Sequence, residues 1–181
     1  MKRTFLLMGA LLLLGSVASA TSTVLKWTAG WDNFGEPLNY KKSKVTYSVN
    51  SAKSTLAVSF SLQGAKPSKL YQVGLNFFCT TFPVAFGNFP TDGGGGTCQS
   101  ITRQGVTKGV AAVELGVVTT DEHGNGSFKV TIGPIASGTY ELEFQTRDGA
   151  GCNLKGGGND CPDDFQSPGS TFGDATTIAI P

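Results

Sequence analysis

The chain has 181 residues, 39% of them hydrophobic, with 14 Lys and Arg against 13 Asp and Glu and a formal net charge of +1. Such a balance gives it no bulk electrostatic reason to hold nucleic acid or an anionic membrane, and its length suits one domain. With one histidine, and four cysteines that form no close Cys-x-x-Cys pair, neither a histidine-rich copper or zinc site nor a thiolate zinc site is expected.

The first element is MKRTFLLMGALLLLGSVASA. Lys2 and Arg3 precede an apolar run, Phe5 to Leu14, and Ala18-Ser19-Ala20 forms a small-x-small cleavage site. This pattern predicts a secretory signal over residues 1–20 and a single mature domain over 21–181, secreted or periplasmic. No second long apolar run follows, so no membrane anchor is expected after cleavage. The mature segment is electrically uneven: Thr21 to Val110 carries nine basic and three acidic residues, a net +6, and Ala111 to Pro181 carries three basic and ten acidic, a net −7. Strands from the two halves are expected to interleave and mix these charges.

Strand signals then dominate. A weakly marked strand is expected at TVLKW. SKVTYSVN alternates Val45, Tyr47 and Val49 with polar residues, and STLAVSFSL alternates Leu56, Val58, Phe60 and Leu62. KLYQVGLNF offers Tyr71, Val73, Leu75 and Phe77, and AAVELGVV offers Val113, Leu115 and Val117. SFKVTI, TYELEF and the terminal TTIAI continue the pattern. Period-two alternation puts one side chain in a core and the next in water. Gly, Pro, Asn and Asp separate the runs, and no amphipathic helix is visible. Seven to eight short strands at this spacing predict an all-β, antiparallel sandwich.

Two segments break the rhythm. Cys79 to Cys98 holds four consecutive glycines and Phe82, Phe86 and Phe89; a second Gly-rich segment starts at Cys152. Four cysteines allow three pairings. In an exported chain the local pairs Cys79–Cys98 and Cys152–Cys161 are favoured, because each closes one loop. Exposed aromatics bind sugars or proteins, which makes Phe82, Phe86 and Phe89, with Trp27 and Trp31 near the mature N-terminus, the expected ligand-binding residues. Asn159, Asp160, Asp163 and Asp164 offer hard oxygen ligands beside Cys161 and Pro162, so calcium is the one cofactor considered.

DEHGNGSF, Asp121 to Phe128, starts like a calcium loop but lacks the acid that such a loop needs at its twelfth position, where Ile132 stands. It is predicted to be a hairpin turn, in which Gly124-Asn125-Gly126 tolerates positive φ. Thr120, Asp121, Gly124, Asn125, Gly126 and Phe128, with Gly138, Tyr140 and Leu142, resemble a hairpin and following strand of immunoglobulin-like and transthyretin-like domains of secreted bacterial proteins. The resemblance covers about residues 119–144. It implies an immunoglobulin-like sandwich and a tyrosine corner, with the Tyr140 ring buried and its hydroxyl bonded to backbone. Leu142 stands where a true immunoglobulin domain has a cysteine.

Catalysis has little footing. His123 lies at a turn tip, the cysteines are expected to be oxidised, and Glu141 and Glu143 alternate with apolar residues as a water-facing side. The expectation is a non-catalytic binding or surface-associated protein with a protein or glycan partner, acting through the aromatic loop. The alternatives are a structural subunit of an envelope or filament, lending its terminal strand to a neighbour, and a carboxylate-dependent hydrolase.

Overall fold

The computed structural model describes residues 21–30, 35–79, 99–103, 106–148, 163–167 and 176–181. Among these, the regular elements are all strands: β1 (Ser22–Lys26), β2 (Thr28–Ala29), β3 (Lys44–Asn50), β4 (Thr55–Leu62), β5 (Leu70–Cys79), β6 (Gln99–Arg103), β7 (Val106–Thr119), β8 (Gly126–Ile132), β9 (Gly138–Asp148), β10 (Asp163–Gln166) and β11 (Thr176–Ile180). Eleven strands replace the seven to eight expected. The additions, β2, β6 and β10, have two, five and four residues. They are too short or too polar to display an alternation.

The strands form two antiparallel sheets. The smaller has the order β1-β3-β4-β8; the larger runs β2-β10-β9-β5-β7-β6, with β11 also paired to β9. Both sheets mix strands from the basic and acidic halves of the chain, as β8 beside β4 and β9 beside β5 illustrate. The inner faces meet through aromatic rings. Phe144 of β9 lies 5.8 Å from Tyr47 of β3 and 5.9 Å from Phe60 of β4, centroid to centroid. The alternation in β4 and β5 is realised strictly: Leu56, Phe60, Leu62, Tyr71, Val73, Leu75 and Phe77 are all fully buried.

In β7 the alternation breaks. Val73 faces Gly116 while its neighbour Gly74 faces Glu114, so Leu115 is an extra residue and the strand bulges. Beyond the bulge the phase flips: Val118 is buried, and Val117, expected inside, is 39% exposed. Gly116 has φ +144°, and a Cβ there would sit 2.5 Å from Cζ of Phe128, so the missing side chain makes room for that ring.

The DEHGNGSF segment turns, but not as a hairpin. β7 belongs to the larger sheet and β8 to the smaller, so the turn is a corner between sheets. The Asp121 carboxylate accepts the backbone N–H of His123 at 2.9 Å and of Asn125 at 2.8 Å, closing the corner from inside. A second crossing, between β4 and β5, docks on it. Ala65 N–H donates to Gly124 O at 2.9 Å and Ser68 N–H to Asp121 O at 3.1 Å. The Thr120 hydroxyl donates to Lys66 O and accepts Lys69 N–H. A Cβ on Gly124 (φ +74°) would lie 1.9 Å from Ala65 O, so the two crossings meet only because this position is glycine. A sequence reading finds the turn residues but not the strands' partners, which lie far along the chain.

Candidate functional site

The expected site residues separate. Trp27 is corrected from surface to core: it is 2% exposed and stacks on Phe60 at 5.7 Å and 21° between planes. It stands between β1 and β2, where the chain leaves the small sheet for the large one, and this crossing carries the ring inward. Trp31, Phe82, Phe86 and Phe89 lie outside the described residues, as do Cys98, Cys152, Cys161, Asn159 and Asp160. Cys79 ends β5. Asp163 and Asp164 open β10, where Asp163 faces Arg147 of β9.

The carboxylates of β9 also differ from expectation. Glu143 is 1% exposed rather than water-facing, and Asn76 Nδ2 of β5 donates to its Oε1 at 3.4 Å. The two residues are opposite each other in the β5–β9 register, on the face of the large sheet turned away from the small one. Glu36 pairs with Lys69, whose ammonium lies 4.9 Å from the Tyr71 ring centroid. Asp121 is held below the usual carboxylate range, chiefly by the Asn125 backbone hydrogen bond. His123 is exposed, 3.5 Å from Glu122.

Among the described residues, the outer face of the small sheet carries an open depression that sequence reasoning did not single out. Its side chains are the polar partners of the core alternation. The register sets Ser22, Ser48, Ala57 and Thr131 in one row across the four strands. The next row is Val24, Thr46, Ser59 and Lys129; the third is Lys26, Lys44, Ser61 and Ser127. The face therefore presents hydroxyls and three lysines and no carboxylate. It carries a shallow, open depression of about 600 Å³ between Lys44 and Lys129 over Thr46, Ser48, Ser59 and Thr131. Lys26 and Lys44 are directly opposite, although like charges at such positions repel. Lys26 turns its ammonium to Lys41 O at 2.8 Å. No carboxylate among the described residues lies within ion-pair distance of Lys44 or Lys129.

No protein family model, curated protein or solved structure matches the chain. The functional reading therefore rests on the geometry alone. The polar members of SKVTYSVN, STLAVSFSL and SFKVTI carried a signal, being Ser, Thr, Lys, Asn and Ala with no acid among them. What joined them into one surface was the cross-strand register.

Proposed function

We propose that the chain is a secreted or periplasmic, non-catalytic binding protein with an immunoglobulin-like sandwich, which engages extracellular carbohydrate polymer through the outer face of its small sheet. The observation that carries the reading is that face: exposed, shallowly depressed, rich in hydrogen-bonding hydroxyls and cations, and built on rigid strands rather than a loop. Among the acids whose side chains are described, Asp121 caps a turn, Glu36 pairs with Lys69 and Glu143 accepts from Asn76, which favours binding over hydrolysis.

Strand order supports the immunoglobulin-like part. Without the edge additions, β3-β4-β8 faces β11-β9-β5-β7. This order is compatible with strands A, B and E against G, F, C and C′ of an immunoglobulin-like sandwich. Tyr140, 2% exposed near the start of β9, donates its hydroxyl to Ala136 O at 2.8 Å, as a tyrosine corner does. β11 pairs with β9 of its own chain and buries Ile178 and Ile180, which favours a self-contained domain over a subunit that lends its terminal strand.

The same register supports the pairs Cys79–Cys98 and Cys152–Cys161. Cys79 is opposite Tyr140 of β9, and Asp148 lies eight residues further along that strand, roughly 27 Å away at ~3.3 Å per residue. The four residues from Asp148 to Cys152 span at most ~14 Å, which leaves about 13 Å, whereas bridged Cα atoms lie within about 7 Å. Cys161 is two residues from Asp163, which pairs with Arg147; the same reasoning leaves it about 16 Å short of Cys79. Cys98 adjoins Gln99 of β6, which lies two strands from Cys79 across β7, roughly 10 Å away, so of the three cysteines it is the one this register favours as partner.

The test is amide chemical-shift mapping of ¹⁵N-labelled Thr21–Pro181 against a panel of soluble polysaccharides, neutral and charged. Shifts confined to β1, β3, β4 and β8 are expected. If no polymer in the panel shifts any amide at millimolar sugar concentration, carbohydrate binding is wrong.

A further inference from the structure

Building on the carbohydrate reading, we infer that the polymer is anionic, and that Lys26, Lys44 and Lys129 are the residues that select it. The first argument is what the face lacks. Neutral sugars are held in protein sites chiefly by stacking on aromatic rings, and a peptide is held by apolar anchors set in pockets. None of the twelve positions in the three rows is aromatic, and the apolar side chains there are Val24 and Ala57. Hydroxyl groups alone exchange water for sugar with small net gain. Charge is the remaining source of affinity, and on this face it has a single sign.

The second argument is spacing. Lys26 and Lys44 are neighbours across one strand pair, about 5 Å apart at Cα. Lys129 lies two strands from Lys44 and one pleat repeat along, roughly 12 Å away at the usual strand and residue spacings. Lys44 and Lys129 both line the same depression. A flexible chain of sugars carrying sulfate, phosphate or carboxylate groups can meet the two cationic sites together while its hydroxyls lie over Thr46, Ser48 and Ser59. In the free protein Lys26 turns its ammonium to Lys41 O, away from Lys44, and an anion bound beside Lys44 would draw it back. The near-neutral whole molecule does not oppose this, because a local field within a Debye length of about 8 Å governs contact at physiological salt.

Dextran sulfate, uncharged dextran and poly-glutamate are the probes, each titrated into Thr21–Pro181 by calorimetry and by shift mapping. Dextran sulfate is expected to bind and to shift the amides of Thr46, Ser59 and Thr131. Its affinity should fall steadily as salt is raised, and the Lys44→Gln/Lys129→Gln variant should bind about tenfold more weakly, the loss of at least one charge-assisted hydrogen bond. Dextran is expected not to bind. Equal binding of dextran and dextran sulfate overturns the inference while leaving the carbohydrate reading intact; no binding of any polysaccharide overturns both. Poly-glutamate binding as tightly makes the ligand an acidic peptide. Salt-sensitive dimerisation of the free chain, lost in the double variant, makes the occupant a second copy. Each of these two results refutes the inference. If the variant misfolds, the wild-type shift map decides: shifts away from the small sheet reject it.

Discussion

Trp27 and Asp121 hold the points where the chain changes sheet, one by packing and one by hydrogen bonding. Trp27 fills the core against Phe60, yet its Nε1 has no hydrogen-bond partner among the described residues. Trp27→Ala is expected to cost about 3–5 kcal/mol in urea unfolding, the usual loss for an emptied aromatic site. Trp27→Phe keeps most of the volume and removes the buried donor, so its loss should stay below about 1.5 kcal/mol. Equal losses would show that the indole N–H matters more than the packing. Asp121 works by charge-assisted acceptance. Its folded pKa is lowered, so its contribution is present above the unfolded pKa of about 4 and is lost as pH falls through the folded value. The melting temperature of Asp121→Ala should therefore trail the wild type at neutral pH and approach it in acid. A gap that persists unchanged once the carboxylate is protonated in both states would count against the carboxylate as the cause.

At the scale of the strand, the bulge in β7 is the feature with most consequence. It turns Val117 out and Val118 in, and it opens the space that Phe128 enters from β8. Gly116→Ala is expected to destabilise by about 1–3 kcal/mol, combining the strain of a positive φ with the clash against the ring. Phe128→Leu placed in that background should recover the part that comes from the ring. No recovery would assign the whole cost to the backbone. The alternation of AAVELGVV is unbroken on paper because a bulge is made by pairing with β5, and Leu115 and Gly116 carry no mark of it beyond the glycine itself.

At the scale of the molecule, the described residues form two sheets joined by chain crossings, and the proposed disulfide pairs are tested at that scale. Cleavage of the unreduced protein between the cysteines, followed by peptide mapping, should give Cys79 linked to Cys98 and Cys152 linked to Cys161. A Cys79–Cys152 or Cys79–Cys161 peptide would contradict the β5–β9 register. Reduction is expected to lower stability by about 3 kcal/mol per bridge in the chain-entropy account, read as a fall in the urea midpoint.

The sequence by itself determined the all-β class and most of the core. Period-two alternation is a local property, and Leu56 to Leu62 or Tyr71 to Phe77 show their buried side without knowledge of any neighbour. It also carried the turn chemistry of Asp121, Gly124 and Asn125, because those residues act on their own backbone. Only the tertiary structure decided which strands share a sheet, and so it alone turned the supposed hairpin into a corner and took Trp27 and Glu143 indoors. The lysine-and-hydroxyl face could not be assembled from the sequence for the same reason. Lys26, Lys44 and Lys129 belong to three separate strands, and only the hydrogen-bonded register between distant segments makes them neighbours.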